Sequence, residues 1–417
     1  MNKRLLLLGG NIFIDELLDY QKKREVDFVT TGKYENTPLK RLIPESYMVD
    51  TLDTSGMINL ISTRRIDGVF LGGNESNISS AFDYLETLNM PSYLTRQTWQ
   101  MASDKSQFKK KCIENGIPVP LEIKISDIDY NTSFPIVIKP VDSCGSNGVY
   151  LCKSYEDYLA KKEKAVLFSK SNTILAEEYL TGTEISVHYT VKDGKAKLSS
   201  MSDKYESTHC GDFNPIPDCY CYPSIFLDEF LIKYDDKIKK LFDSMGIRKG
   251  IVFVQGFYKE GDFKFFEMGY RIPGTYTFRY TKEMNGVNAL HLLLDYSIGI
   301  DPKEFDINKE NARFNKYCCT LTLLSKGGKV CEVVGLDAIK KCKDVICVEE
   351  RFSVGDVIPV TNSLGQVHIW VYIASNTVEE LKATIQFINR TIRVFDDNHA
   401  DILYHDFDTE RLLFKEK

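Results

Sequence analysis

The 417-residue chain lacks the marks of a membrane, nucleic-acid or secreted disulfide-rich protein. The apolar run nearest the start, Leu5 to Leu8, ends in Gly9-Gly10 and is far too short for a signal peptide or a membrane span. There is no basic excess: 53 Lys and Arg against 59 Asp and Glu leave a net charge of −6. The basic residues are also spread rather than massed, so neither nucleic acid nor an anionic membrane is an expected partner. The eleven cysteines are odd in number and contain no CxxC pair, which argues against a disulfide framework. Cys219 and Cys221, with His209 nearby, have ligand chemistry, but their spacing matches no standard zinc site. Reduced packing thiols are expected there. Internal repeats, low-complexity tracts and long linkers are missing too. What remains, 43% hydrophobic and 27% charged, is enough for two or three domains in a compact unit, expected to be soluble and cytoplasmic.

The first hundred residues alternate strand and helix patterns. Lys3 to Leu8 reads as a fully buried strand and Asn11 to Lys23 as a helix. Val26 to Thr30 and Tyr47 to Asp50 follow as strands, Met57 to Arg64 as a helix, Asp67 to Leu71 as a strand and Ser80 to Asn89 as a helix. That rhythm predicts a parallel sheet with helices on both faces, a doubly wound α/β unit over 1–98. The turns after Leu8 and Leu71 then lie at the carboxyl edge of the sheet, although glycine pairs there serve a purely structural turn equally well. From Thr98 an amphipathic helix carries Lys105 and Lys109 and ends at Gly116. Lysines on such a helix usually form a solvated face.

The stretch Phe134 to Val149, FPIVIKPVDSCGSNGV, is an apolar strand ending in Lys139 and a loop of Ser143, Gly145, Ser146 and Gly148. Small residues let backbone N–H groups approach anionic oxygens closely, and a lysine beside them supplies a point charge. A plain surface hairpin explains the loop alone just as well, and neither the P-loop nor the dinucleotide spacing is present. Downstream, Thr173 to Leu180 reads as a strand containing Glu177, and Glu184 opens another strand that turns at Asp193-Gly194. Such an edge offers adenine backbone groups and ribose a carboxylate, while two acidic strand ends on a solvent edge are the bland alternative. Ser199 to Ser224 shows no period and is expected to be a long binding loop; Lys204, Tyr205 and His209 are its candidates to face a substrate, with a solvent-facing or tucked-in side chain the commoner fate of any one of them. Leu227 to Met245 reads as a helix, and Gly250–Tyr258 with Phe263–Met268 as a hairpin. Glu267, near the end of its very apolar strand, would cap a turn, pair with Arg271 or bind a phosphate-carrying metal. Residues 306–417 read as α+β, with no residue required for chemistry and with His368 and Trp370 as packing groups.

Taken in order, Lys105, Lys139 with its Gly/Ser loop, Glu177-Glu-Tyr-Leu180 with Glu184, and Phe266-Glu-Met-Gly-Tyr-Arg271 resemble the ATP-grasp superfamily. Each motif is loose, but the ordered set is specific and covers nearly the whole chain. It is most similar to the amino-acid ligase branch, the ATP-dependent carboxylate–amine ligases. The resemblance implies an α/β domain at 1–98, a two-part ATP-binding region at 99–305 and a C-terminal α+β domain at 306–417 that closes the site. It implies ATP and Mg²⁺ (or Mn²⁺), with Lys105 and Lys139 on the α- and β-phosphates and Ser143 to Gly148 over the transferring phosphoryl group. Glu177 and the backbone near Leu180 would hold adenine, and Glu184 the ribose hydroxyls. Glu267 and Gln255 would meet the metal, and Arg271 would stabilise an acyl phosphate and its tetrahedral adduct. The implied reaction joins a small-molecule carboxylate to an amine with release of ADP and phosphate, in a homodimer.

Two positions depart from the family pattern: Gln255 stands where the first metal carboxylate is expected, and Gly269 where asparagine is usual. A neutral amide oxygen ligates Mg²⁺ without neutralising charge. Three readings follow: an active ligase with fewer protein charges at its metal, a nucleotide-holding pseudo-enzyme, and another ATP-grasp chemistry of the carboxylase or purine-biosynthesis kind. Intact Lys105, Lys139 and Arg271 favour the first.

Overall fold

The computed structural model describes residues 2–9, 13–35, 37–142, 147–209, 216–361, 363–405 and 407–415. Ser143, Gly145 and Ser146 of the expected phosphate loop therefore lie outside the described residues. The N-terminal unit comprises β1 (Arg4–Leu8), α1 (Ile14–Arg24), β2 (Asp27–Thr31), α2 (Pro38–Leu42), β3 (Ser46–Tyr47), α3 (Thr54–Thr63), β4 (Gly68–Phe70) and α4 (Glu75–Thr87). Its strands form an all-parallel sheet in the order β3-β2-β1-β4. Four consecutive leucines of β1 are buried because both faces of a parallel sheet are covered. Helix α4 starts earlier than the sequence pattern suggests. Asn74 caps it by accepting a hydrogen bond from the Asn77 N–H, and this draws Glu75 into its first turn.

The single amphipathic helix expected after Thr98 is two, α5 (Arg96–Ser103) and α6 (Lys105–Glu114). Asp104 ends the first and caps the second through the Gln107 N–H, so Lys105 occupies the first position of α6. A small antiparallel sheet follows, β5 (Glu122–Ile123), β6 (Ile136–Pro140), β7 (Tyr150–Cys152) and β8 (Ile174–Glu178), ordered β5-β8-β6-β7 and backed by α7 (Tyr155–Val166).

The large antiparallel sheet begins with β9 (Thr183–Lys192), β10 (Lys195–Glu206) and β11 (Pro217–Tyr222). This corrects the expected long loop at Ser199 to Ser224: most of it is strand. A bulge between Leu198 and Ser200 shifts the two-residue period, and the serines at 200 and 202 face away from the apolar core, which together mask the strand signal. Helices α8 (Leu227–Lys233) and α9 (Asp235–Ser244), one helix in the sequence pattern, part at Tyr234. Strands β12 (Gly250–Lys259) and β13 (Asp262–Gly269) make the expected hairpin, followed by α10 (Phe278–Asn285) and α11 (Ala289–Ser297).

The C-terminal segment adds β14 (Tyr317–Leu324), β15 (Gly328–Lys329), β16 (Glu332–Val334), α12 (Leu336–Lys340), β17 (Val345–Glu350), β18 (Val357–Ile358), β19 (Val367–Ser375), α13 (Val378–Thr391) and β20 (Arg393–Phe395). Rather than building a separate sheet, β14, β19 and β17 extend the large one, whose order is β13-β12-β9-β10-β11-β14-β19-β17. One face of it packs on two apolar cores, one under the β9–β13 half and one under the β14–β17 half with α13. The opposite face carries Ser186, His188, Ser200, Ser202, Phe253 and Gln255, and the site lies on that side. No helix among the described residues is long and apolar enough to cross a membrane.

Candidate functional site

The site is built where the small sheet faces the free edge of the large one. Lys139 on β6 and Glu177 on β8 point away from the apolar cluster beneath the small sheet, and their charged groups pair at 2.6 Å. Lys109, one turn beyond Lys105 on α6, also pairs with Glu177 and reaches Glu122 at 3.1 Å. Register explains the shared partner, since Glu122 and Glu177 stand opposite one another on β5 and β8. Lys105, Lys109, Lys139 and Glu177 are all buried. Burying ions without partners is costly, and here the Lys109 and Lys139 ammonium groups share buried Glu177, Lys109 also reaches half-exposed Glu122, and the charge of buried Lys105 is felt at Lys139. The pocket is therefore cationic. Burial pulls the Lys139 ammonium below the usual lysine range; Glu177 opposes this, and Lys109 and Lys105 push further down.

Lys105 is set at the mouth of the Gly/Ser loop because its backbone N–H donates to the Val141 carbonyl at the end of the Lys139 strand. Asp142 ties the loop entry down by accepting from Ser169 Oγ at 2.8 Å and from the Ser171 N–H at 2.8 Å. Gly148 has φ +75°, and a Cβ there would lie 2.7 Å from Phe168 and 2.9 Å from Pro140, so only glycine fits this return. Lys109 is the member that sequence reasoning passed over. Its available signal was the four-residue spacing from Lys105, which puts both on one helix face.

The second half of the site lies on β9, β10, β12 and β13. Gln255 and Glu267 are direct cross-strand partners, and Ser186 stands beside Gln255 on the next strand. Just after Gln255 the pairing slips by one residue and leaves Phe266 as the extra residue of β13. The Phe266 ring lies 5.6 Å under the Lys139 ammonium, which joins the two halves of the site. Glu184 accepts a 2.6 Å ion pair from Lys204 and a long, 3.5 Å hydrogen bond from Gln255 Nε2. Leu180 follows the end of β8, half-buried, ahead of Gly182 whose backbone abuts the Tyr258 carbonyl.

Of the three candidate substrate-facing side chains, Lys204 lies on the face that carries Gln255, where it pairs with Glu184. The Tyr205 hydroxyl is engaged by Leu413 on the other side of the sheet, and the His209 ring stacks on Tyr404 at 3.9 Å. His209 is thus not a partner of Cys219 and Cys221. Cys319 is the third thiol beside that pair.

Arg271 leaves β13 and is held from the N-terminal unit: its Nε and Nη2 donate to Glu75 Oε1 at 3.0 and 2.7 Å, and its guanidinium stacks 5.1 Å over Phe253. The neighbouring departure from the family pattern has a steric cause. Gly269 is the cross-strand partner of Phe253, and a Cβ at 269 would sit 2.2 Å from the Phe253 ring. Phe253 fills the space that an asparagine side chain would need. Farther along the same sheet, buried Arg279 on α10 ties the three parts together. It binds Asp15 in a two-pronged pair, each contact 2.7 Å, reaches Glu16 at 3.0 Å and contacts Glu349 on β17.

Buried lysines on Glu177, facing a strand pair on which Glu267 stands opposite Gln255, are a polyphosphate site in outline. Residues 132–277 match the ATP-grasp domain family. They form an ATP-grasp domain. The chain is 26% identical over 338 residues to the carbamoyl phosphate synthase large chain of Clostridium beijerinckii, covering 74% of this chain and 31% of that protein. It is 27% identical over 201 residues to a D-alanine–D-alanine ligase of Pelagibacter ubique, covering 45% of this chain and 61% of that one. The chain thus spans less than two thirds of the length of either relative. The L-amino acid ligase of Bacillus licheniformis has the same fold, with a TM-score of 0.77 at 19% identity over 95% of this chain and 99% of that one. The ATP-grasp fold expected from the ordered motifs is borne out.

Proposed function

We propose that the chain is an ATP-dependent carboxylate–amine ligase working through an acyl phosphate. The observation that carries this reading is the joint placement of buried Lys109 and Lys139 on Glu177, of buried Lys105 one turn away on the same helix, and of Arg271 across the sheet edge. A protein that only stored nucleotide would need the lysines but not an arginine beyond them.

In this reading Lys105, Lys109 and Lys139 take the triphosphate oxygens, and Ser143 to Gly148 close over the γ-phosphoryl group. Glu177 is saturated by two lysines, so its role is to fix those lysines. Adenine is then read by the backbone near Leu180, while Glu184, steadied by Lys204, takes the ribose hydroxyls. Phosphoryl transfer asks chiefly for positioning and charge neutralisation, which this arrangement offers. A substrate carboxylate oxygen attacks the γ-phosphorus, the bond to the β-phosphate oxygen breaks, and ADP leaves. The amine adds to the acyl carbon, Arg271 holds the resulting oxyanion, and phosphate departs with one amine proton lost to solvent.

Glu267 and Gln255 fit Mg²⁺ with one carboxylate and one amide oxygen, because the Gln255 amide nitrogen is turned towards Glu184 and Mg²⁺ readily keeps water and phosphate as its other ligands. An ion held there would supply charge neutralisation to the phosphates. The test is ADP and phosphate release with ATP and Mg²⁺ across a panel of amino acids, singly and in pairs. Release requiring one carboxylate and one amine is the expected result; release with bicarbonate or formate instead would favour the carboxylase or purine-type chemistry.

A further inference from the structure

Three buried thiols that the proposed reaction does not use are gathered in one place. Cys219 and Cys221 alternate along β11 and so present both sulfurs to the same face, the apolar one under the β14 half of the sheet. Cys319 on β14 is the direct cross-strand partner of Cys221. All three are fully buried, their sulfurs lie within 4.8 Å of one another, and those of Cys219 and Cys221 are 3.9 Å apart. A metal–sulfur bond of about 2.3 Å requires sulfurs about 4.0 Å apart in a trigonal plane and about 3.8 Å apart in a tetrahedron. The fold has thus placed three soft ligand atoms from two strands near the separations an ion would impose. A hundred residues separate Cys319 from the other two, so the set cannot be read from spacing in sequence.

We propose that Cys219, Cys221 and Cys319 form a site for a single thiophilic d¹⁰ cation, with Cu(I) the ion whose preferences they meet. No histidine or carboxylate among the described residues joins the cluster, and the surroundings include Leu321, Val371 and Ile373. That leaves three sulfurs in a dry apolar setting, which suits an ion content with three soft ligands better than Zn²⁺, which takes four. Each sulfur binds as a thiolate, so one Cu⁺ enters as three H⁺ leave. The site is distinct from the nucleotide pocket: it lies on the opposite face of the sheet, at the seam where β11 meets β14. An ion there would pin that seam, so binding to the folded chain alone raises its unfolding temperature.

The test uses the full chain, reduced and oxygen-free, titrated with Cu(I) delivered from a chromophoric chelator. Wild type is expected to withdraw one equivalent tightly, with a rise in unfolding temperature and three sulfur neighbours at about 2.3 Å in X-ray absorption. Cys219→Ser, Cys221→Ser and Cys319→Ser should each lose that equivalent and the temperature shift, whereas Cys342→Ser, outside the cluster, should keep both. The unfolding temperature of each metal-free variant reports whether it folds. If one variant does not, the remaining two and the wild-type absorption spectrum still decide. An equivalent that survives all three substitutions, or wild type that never competes with the chelator, overturns the proposal.

Discussion

The two halves of the nucleotide site handle charge in opposite ways. The half on α6, β6 and β8 buries Lys105, Lys109 and Lys139, the last two paired with one buried carboxylate. The other half sets Glu267 on β13 opposite the neutral Gln255 on β12, with Glu184 of β9 beside it already paired to Lys204. A triphosphate needs its negative charge neutralised from somewhere. Where a third lysine stands in the pocket, less of that work falls to metal ions and to the carboxylates that recruit them. In the proposed binding mode Gln255 is the counterpart of Lys109: added positive charge on one side of the phosphates, removed negative charge on the other.

The comparison can be broken most directly at its cationic side. Lys139→Met should weaken ATP binding about ten- to a hundredfold, the equivalent of a charged hydrogen bond worth roughly 1.5–3 kcal/mol, as read by calorimetric titration. Unchanged affinity would remove Lys139 from the phosphate pocket. Lys109→Met should do two things at once, because it strips one of two partners from buried Glu177. We expect a loss of about 3 kcal/mol in stability by denaturant unfolding together with weaker ATP binding, and Lys109→Met with Glu177→Gln should recover part of the stability.

On the other side, Gln255→Glu should lower the Mg²⁺ concentration for half-maximal rate about tenfold, since each anionic ligand raises affinity for a hard cation. A variant with the wild-type Mg²⁺ requirement would separate Gln255 from the metal. The smallest effect concerns protons. Burial holds the Lys139 ammonium below the usual range, and phosphate oxygens favour its charged form. ATP affinity should therefore fall as pH rises through that lowered value, and binding on the alkaline side should take up protons. Calorimetry in buffers of different ionisation heat measures the uptake, and its absence would show that Lys139 is already fully charged when free.

How much of this was legible in the sequence depends on range. The parallel N-terminal unit, the β12–β13 hairpin and the Lys139 strand follow from local periodicity and turn residues, and the structure has them. Strand β10 was hidden by a bulge and by serines on its ligand-facing side, features that local pattern cannot tell from a loop. The Glu75–Arg271 pair spans 196 residues and the Arg279–Glu349 contact 70, so neither leaves a mark on any one segment. Gly269 could be seen as a departure in sequence, but its reason, the Phe253 ring across the hairpin, is visible only in register. Lys109 was visible on its helix, yet a lysine-rich helix face is ordinarily solvated, and only the approach of Glu177 makes this one buried.

In the proposed reaction a carboxylate is activated by phosphorylation before the amine attacks. This step is tested most directly by supplying a carboxylate substrate labelled with oxygen-18, together with ATP and the amine, and recovering the inorganic phosphate. One labelled oxygen transferred to phosphate for each amide formed is the result this account predicts. Amide formation, or ADP release, with phosphate free of label would contradict it.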